Sequence, residues 1–131
     1  MNNKVDWSDP EYCMEIVKNY GYSLQFVKEQ TPELCLAAVQ QNWLALQFVK
    51  EQTPELCLAA VNKNGYALVH IISQTPEICL AAVNQNGFSL QYVKEQTPEL
   101  CLAAIKQDKD AIDFVPEEFT EIHEYWRLLY A

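Results

Sequence analysis

The sequence predicts an all-α fold: a right-handed-type α-solenoid of five 22-residue helix-turn-helix repeats with a C-terminal capping helix. Three observations predict it. The nonapeptide Thr31-Pro32-Glu33-Leu34-Cys35-Leu36-Ala37-Ala38-Val39 returns at Thr53, Thr75 and Thr97, and more weakly at Asp9. A fixed period of this length marks a stacked array. Each copy also opens with residues that start helices, and its apolar residues then follow a 3.6-residue period. One domain, 1–131, is expected, with an N-terminal cap at 1–8, repeats over 9–118 and a capping helix over 119–131.

Val5 and Trp7 are placed to cover the open end of the first layer, since a terminal repeat needs a lid. The first helix of each repeat begins at Thr-Pro-Glu (Asp9-Pro10-Glu11 in the first copy). Thr or Asp caps the first turn, Pro fits where its missing N–H is harmless, and Glu faces the positive end of the helix dipole. Leu34, Cys35, Ala38 and Val39 fall on the inward face, while Glu33, Ala37, Gln40 and Gln41 fall outward. Asn42, Asn64, Asn86 and Asp108 are read as caps of a second helix, with Gly21, Gly65 and Gly87 letting the chain reverse sharply. That second helix is expected to run for roughly nine residues, through Leu44 to Glu51, with Leu46 and Val49 inward. Thr-Pro ends it, because the residue before proline avoids helical angles. Helices this short are marginal alone, so stacking must hold them.

The fifth repeat drifts after Ala104, and Pro116 is expected to end its second helix early. Beyond it, Glu117 and Glu118 suit a helix start. Phe119, Ile122, Trp126 and Leu129 then form a stripe expected to bury the last layer.

A net charge of −9 disfavours nucleic acid, since phosphates need a basic footprint. It leaves open a basic protein partner. No apolar run approaches the roughly 20 residues of a membrane span, so no membrane partner is expected. The N-terminus lacks the apolar core of a signal peptide, so cytoplasmic residence is expected. Cys13, Cys35, Cys57, Cys79 and Cys101 share one repeat position. Stacked equivalents stand roughly 8–10 Å apart, beyond the roughly 7 Å reach of a disulfide, and zinc ligands must converge. They are read as small buried hydrophobes. No phosphate loop, paired catalytic carboxylates or nucleophile elbow appears, so no catalytic, cofactor or metal site is expected.

Comparing the copies exposes one that breaks the rule. Where other second helices carry Gln25, Gln47 and Gln91, the third has Val69; where they carry Lys28, Lys50 and Lys94, it has Ile72. The site of Phe26, Phe48 and Tyr92 becomes His70, read as a packed aromatic substitute. In the preceding copy Trp43 replaces the glycine. Trp43, Val69 and Ile72 are therefore expected to form one exposed apolar patch across adjacent layers, the make-up of an interface hot spot. A second candidate surface is a ladder of Glu11, Glu33, Glu55, Glu77 and Glu99 beside a floor of Ala37, Ala59, Ala81 and Ala103, shaped for an extended basic peptide.

The word TPE(L/I)CLAAV, followed by NG-aromatic-x-L and Q(F/Y)VKEQ, resembles a short helical-hairpin repeat family catalogued only as a domain of unknown function, known from bacteria, phages, amoebae and giant viruses. The resemblance covers 9–118 and implies the fold; it carries no activity or catalytic residue. The expected function is a non-catalytic protein–protein interaction scaffold, such as an inhibitor or an immunity or counter-defence protein binding a basic partner. The alternative is a structural or self-associating module, so the chain is expected to be a monomer or homodimer.

Overall fold

Where each α-helix begins is decided by its Thr-Pro pair. In the computed structural model, which describes residues 4–131, α1 (Pro10–Asn19), α2 (Pro32–Gln41), α3 (Pro54–Lys63), α4 (Pro76–Gln85) and α5 (Pro98–Gln107) all start at the proline. The Thr31, Thr53, Thr75 and Thr97 hydroxyls accept the N–H of Leu34, Leu56, Ile78 and Leu100 at 3.2–3.3 Å. Asp9 caps α1 in the same way. Each such cap is worth about 1 kcal/mol. Leu34, Cys35, Ala38 and Val39 and their equivalents in α3 to α5 are buried, as the periodicity predicts.

The second helix departs from expectation. It is a six-residue 3-10 helix in every repeat: Gly21–Phe26, Trp43–Phe48, Gly65–His70, Gly87–Tyr92 and Lys109–Phe114. The side chains of Asn42, Asn64, Asn86 and Asp108 do cap it, accepting the N–H two residues on at 2.9–3.0 Å. Over so few residues, i→i+3 bonding closes more rings than i→i+4 bonding. Val49 then turns extended (φ −77, ψ 124) and the segment ends. Pro116 shortens nothing, because Lys109–Phe114 is as long as its counterparts.

The repeats stack as two rows, α-helix on α-helix and 3-10 helix on 3-10 helix, with each 3-10 helix also lying against the α-helix of the next repeat. Between the rows Leu24, Leu46, Leu68 and Leu90 are fully buried beside Val17, Val39, Val61, Val83 and Ile105. Each such leucine contributes about 2 kcal/mol through lost water contact. The stack also corrects the expected role of the glycines. None has positive φ, so no sharp reversal requires them. A Cβ on Gly21, Gly65 or Gly87 would instead strike the carbonyl of Ala38, Ala82 or Ala104 in the next α-helix.

Glutamines at two repeat positions stitch the layers. Gln30, Gln52 and Gln74 reach forward: each amide donates to a 3-10 carbonyl (Phe48, His70, Tyr92) at 2.7–2.8 Å. Their Oε1 atoms accept the N–H of Lys50, Ile72 and Lys94 at 2.9–3.0 Å. Gln41, Gln85 and Gln107 reach back and accept the N–H of Gly21, Gly65 and Gly87 at 2.5–2.6 Å. The forward bridge fails once. The equivalent donor for Gln96 would be Pro116, which has no N–H, and Gln96 turns back to the Leu90 carbonyl instead.

At the N-terminal end the Trp7 carbonyl does the work of a forward glutamine, accepting from Cys13 Sγ and the Lys28 N–H at 3.3 Å. The Trp7 ring packs on Tyr12 and Phe26. Val5, expected beside it as cover, is 59% exposed; residues 1–3 of the predicted cap lie outside the described residues. At the other end Glu117 and Glu118 sit in a turn and α6 runs Thr120–Tyr130. Ile122 is buried, Phe119 and Trp126 pack against the core, and the Trp126 indole donates to the Lys109 carbonyl at 2.7 Å. Leu129 does not join them. It lies outside on the last turn with Leu128, since α6 extends past the layer it covers.

Gln52→Ala, which orphans the His70 carbonyl and the Ile72 N–H, is expected to cost about 1–3 kcal/mol. Gln96→Ala, which breaks no bond to the 3-10 helix of the following repeat, should cost less. Urea midpoints at unchanged slope check the order, and equal costs would show that the bridge adds nothing. Gly65→Ala should destabilise by about 1–3 kcal/mol through overpacking; a neutral result in the same assay would overturn the close-approach role.

Candidate functional site

The third repeat presents its rule-breaking side chains outward. Val69 lies in the last turn of Gly65–His70 and is 52% exposed, and Ile72, two residues beyond, is 70% exposed. The Ile72 N–H is held by Gln52 Oε1 at 2.9 Å, so the backbone under this side chain is pinned while the side chain faces water. Repeats 1, 2 and 4 place amides and ammonium groups here, and the fifth places Asp113 and Pro116. Two aliphatic side chains on a bridged backbone give a small, preordered apolar contact.

Trp43 is engaged differently from the expected exposed patch. It is half-buried against the core, and its ring lies 6.5 Å from that of His70, tilted by 37°. Ring pairs of this kind run along the 3-10 row: Tyr22 with Phe48, Tyr66 with Tyr92 and Phe88 with Phe114, at 5.3–5.7 Å. Repeat 2 has Leu44 where Tyr22, Tyr66 and Phe88 stand, and Trp43 supplies the missing ring from one position earlier. His70 completes that pair while its carbonyl accepts from Gln52, in keeping with a packed aromatic substitute. The structure thus brings Trp43 to His70 and leaves Val69 and Ile72 as the exposed part.

Glu33, Glu55 and Glu77, with Glu11 and Glu99, are all exposed in the first turns of their helices. The alanines beside them, Ala37, Ala59, Ala81 and Ala103, are only half-buried. Sequence reasoning missed the leucines one position earlier: Leu36 and Leu80 are exposed, Leu58 and Leu102 half-buried. The available signal was that an invariant leucine falls off the inward stripe of its helix. Glu55 also lines a groove of about 580 Å³ with Lys28, Pro32, Leu36 and Lys50, bounded by both charge signs. A shallower hollow of about 530 Å³ lies on the α-helical face at Asn84, Glu99, Leu102 and Lys106.

The five thiols are buried and free, and those of Cys35, Cys79 and Cys101 donate to Gln30, Gln74 and Gln96 Oε1 at 3.4–3.5 Å. Burial pushes all of them above their ordinary value, with Asp9 and Asp6 adding to the rise at Cys13. Cys101 is pushed from about 9 up to about 11. Such thiols are poor nucleophiles. Among the described residues, no group of three or more His, Cys, Asp or Glu is placed to hold a metal ion, and no helix is long and apolar enough to cross a membrane.

In the native protein the thiols should react with iodoacetamide at pH 8 at least about a hundredfold more slowly than in urea, since only transient opening exposes them. Native labelling at the unfolded rate would refute this. Folding favours the protonated Cys101 thiol, so its stabilising effect is complete below about pH 9 and is lost as pH climbs through about 11. Unfolding midpoints should fall across that window.

No curated protein and no solved structure matches the chain. A family model does, over residues 9–53, 31–74, 53–96 and 75–120, in overlapping pairs of repeats. These matches together span 9–120, and the chain belongs to the family described as Domain of unknown function (DUF4116).

Proposed function

We propose that the protein is a non-catalytic scaffold that binds another protein, acting in the cytoplasm as an inhibitor or an immunity or counter-defence protein does. One observation carries the reading. Val69 and Ile72 stand exposed where repeats 1, 2 and 4 hold Gln and Lys, and stacking does not call for apolar residues there. Paired apolar side chains on a rigid support lose little entropy on docking. The net charge of −9 favours a basic partner by steering its approach. Burial of all five thiols, which raises their pKa and makes them poor nucleophiles, supports a non-catalytic role for them.

Pairing of two copies through the same residues is the second reading. An apolar patch is self-complementary and suits a two-fold interface.

The Val69→Gln/Ile72→Lys variant gives the third repeat the residues of its sisters, so its fold should stand. Affinity capture from the native host, quantified against wild type, should lose its specific partner by about tenfold or more, the scale of one hot-spot residue. Capture unchanged by the substitutions would sink the patch as the binding site. Light scattering decides the second reading: a wild-type dimer that the variant dissolves replaces the scaffold with self-association.

A further inference from the structure

The residues that seat one repeat on the next change together at a single joint. Between repeats 1 and 2, 3 and 4, and 4 and 5, a glycine N–H meets a glutamine of the following α-helix at 2.5–2.6 Å. Beside it, an aromatic ring meets the next layer's ring at 5.3–5.7 Å. Between repeats 2 and 3 all four positions differ. The glycine is Trp43, the glutamine is Lys63, the first ring is replaced by Leu44, and the second is His70.

Each change removes something. An ammonium has no lone pair to accept the Trp43 N–H. A Cβ at the glycine position would strike the next helix's alanine carbonyl at the other joints, so the 3-10 helix of repeat 2 stands off from α3. The Trp43–His70 pair is also wider, at 6.5 Å. Only the forward bridge survives: Gln52 still holds the His70 carbonyl at 2.7 Å and the Ile72 N–H at 2.9 Å.

We propose that this joint is a hinge built into the array, with repeats 1–2 and repeats 3–5 moving as two bodies about the Gln52 bridge. In a solenoid each layer is held only by its neighbours, so a joint that keeps one of two straps is the place to open. Opening parts Trp43 from His70 and leaves the Gln52 edge, with Val69 and Ile72 on it, closed.

Native-state hydrogen exchange by NMR on the full chain tests this. The Ala45 and Val49 amides bond within their 3-10 helix to Asn42 and Leu46, as Ala67, Ile71, Ser89 and Val93 do in theirs. Protection factors at Ala45 and Val49 should be about tenfold lower than at those four, the effect of one missing interlayer hydrogen bond. The Trp43→Gly/Leu44→Tyr/Lys63→Gln variant should raise them to match. Lys63→Gln alone should leave them low, because the indole still holds the layers apart. Equal protection in the wild-type chain overturns the hinge, and this comparison decides the matter even where a variant fails to fold. Full recovery by Lys63→Gln alone also overturns it, assigning the looseness to a missing acceptor rather than to the wedge.

Discussion

The second, third and fourth 3-10 helices each end with a carbonyl and a following N–H that are satisfied from outside the helix. The glutamine that closes the preceding repeat supplies both partners. Phe48 and Lys50 hang on Gln30, His70 and Ile72 on Gln52, and Tyr92 and Lys94 on Gln74. Each of these hydrogen bonds, to part-buried carbonyls and exposed N–H groups, contributes about 1 kcal/mol. The bridge therefore ties folding of one layer to the presence of the one before it, and the chain must solve the problem separately at its ends. Trp7 does so with a backbone carbonyl. Pro116 does so by having no N–H to satisfy.

That constraint accounts for the brevity of the second helix. A longer α-helix through Lys50 and Glu51 would use up the groups that Gln30 binds. The chain instead leaves the helix at Val49 and runs extended into Thr53-Pro54. With only six residues available, 3-10 bonding is the economical closure. The flatness of these segments lets the next α-helix approach until only glycine fits between them.

Against so regular a frame, deviations carry information. The third repeat has surrendered surface polarity at Val69 and Ile72 without any gain in packing, which is the pattern of a contact surface. Trp43 is a different kind of deviation. It comes with compensating changes at Leu44, Lys63 and His70, and together they form an alternative joint. The two features meet at Gln52, whose amide fixes the backbone of His70 and Ile72 at once.

The repeat period was legible because the copies use nearly the same words; the helix starts, the Asn caps and the inward face of each α-helix were legible because each depends on residues within about four positions of one another. The exposed pair Val69 and Ile72 was legible too, since copies can be compared without coordinates. The 3-10 geometry, the reason for the glycines, the glutamine bridges and the place of Trp43 were not. Those depend on atoms 17–27 residues apart, from Gly21 and Ala38 to Trp43 and His70, whose meeting is decided only when one layer is laid on another. Leu129 was misplaced for the same reason: an amphipathic stripe says which side of a helix is apolar, and only the stack says how far the layer beneath it reaches.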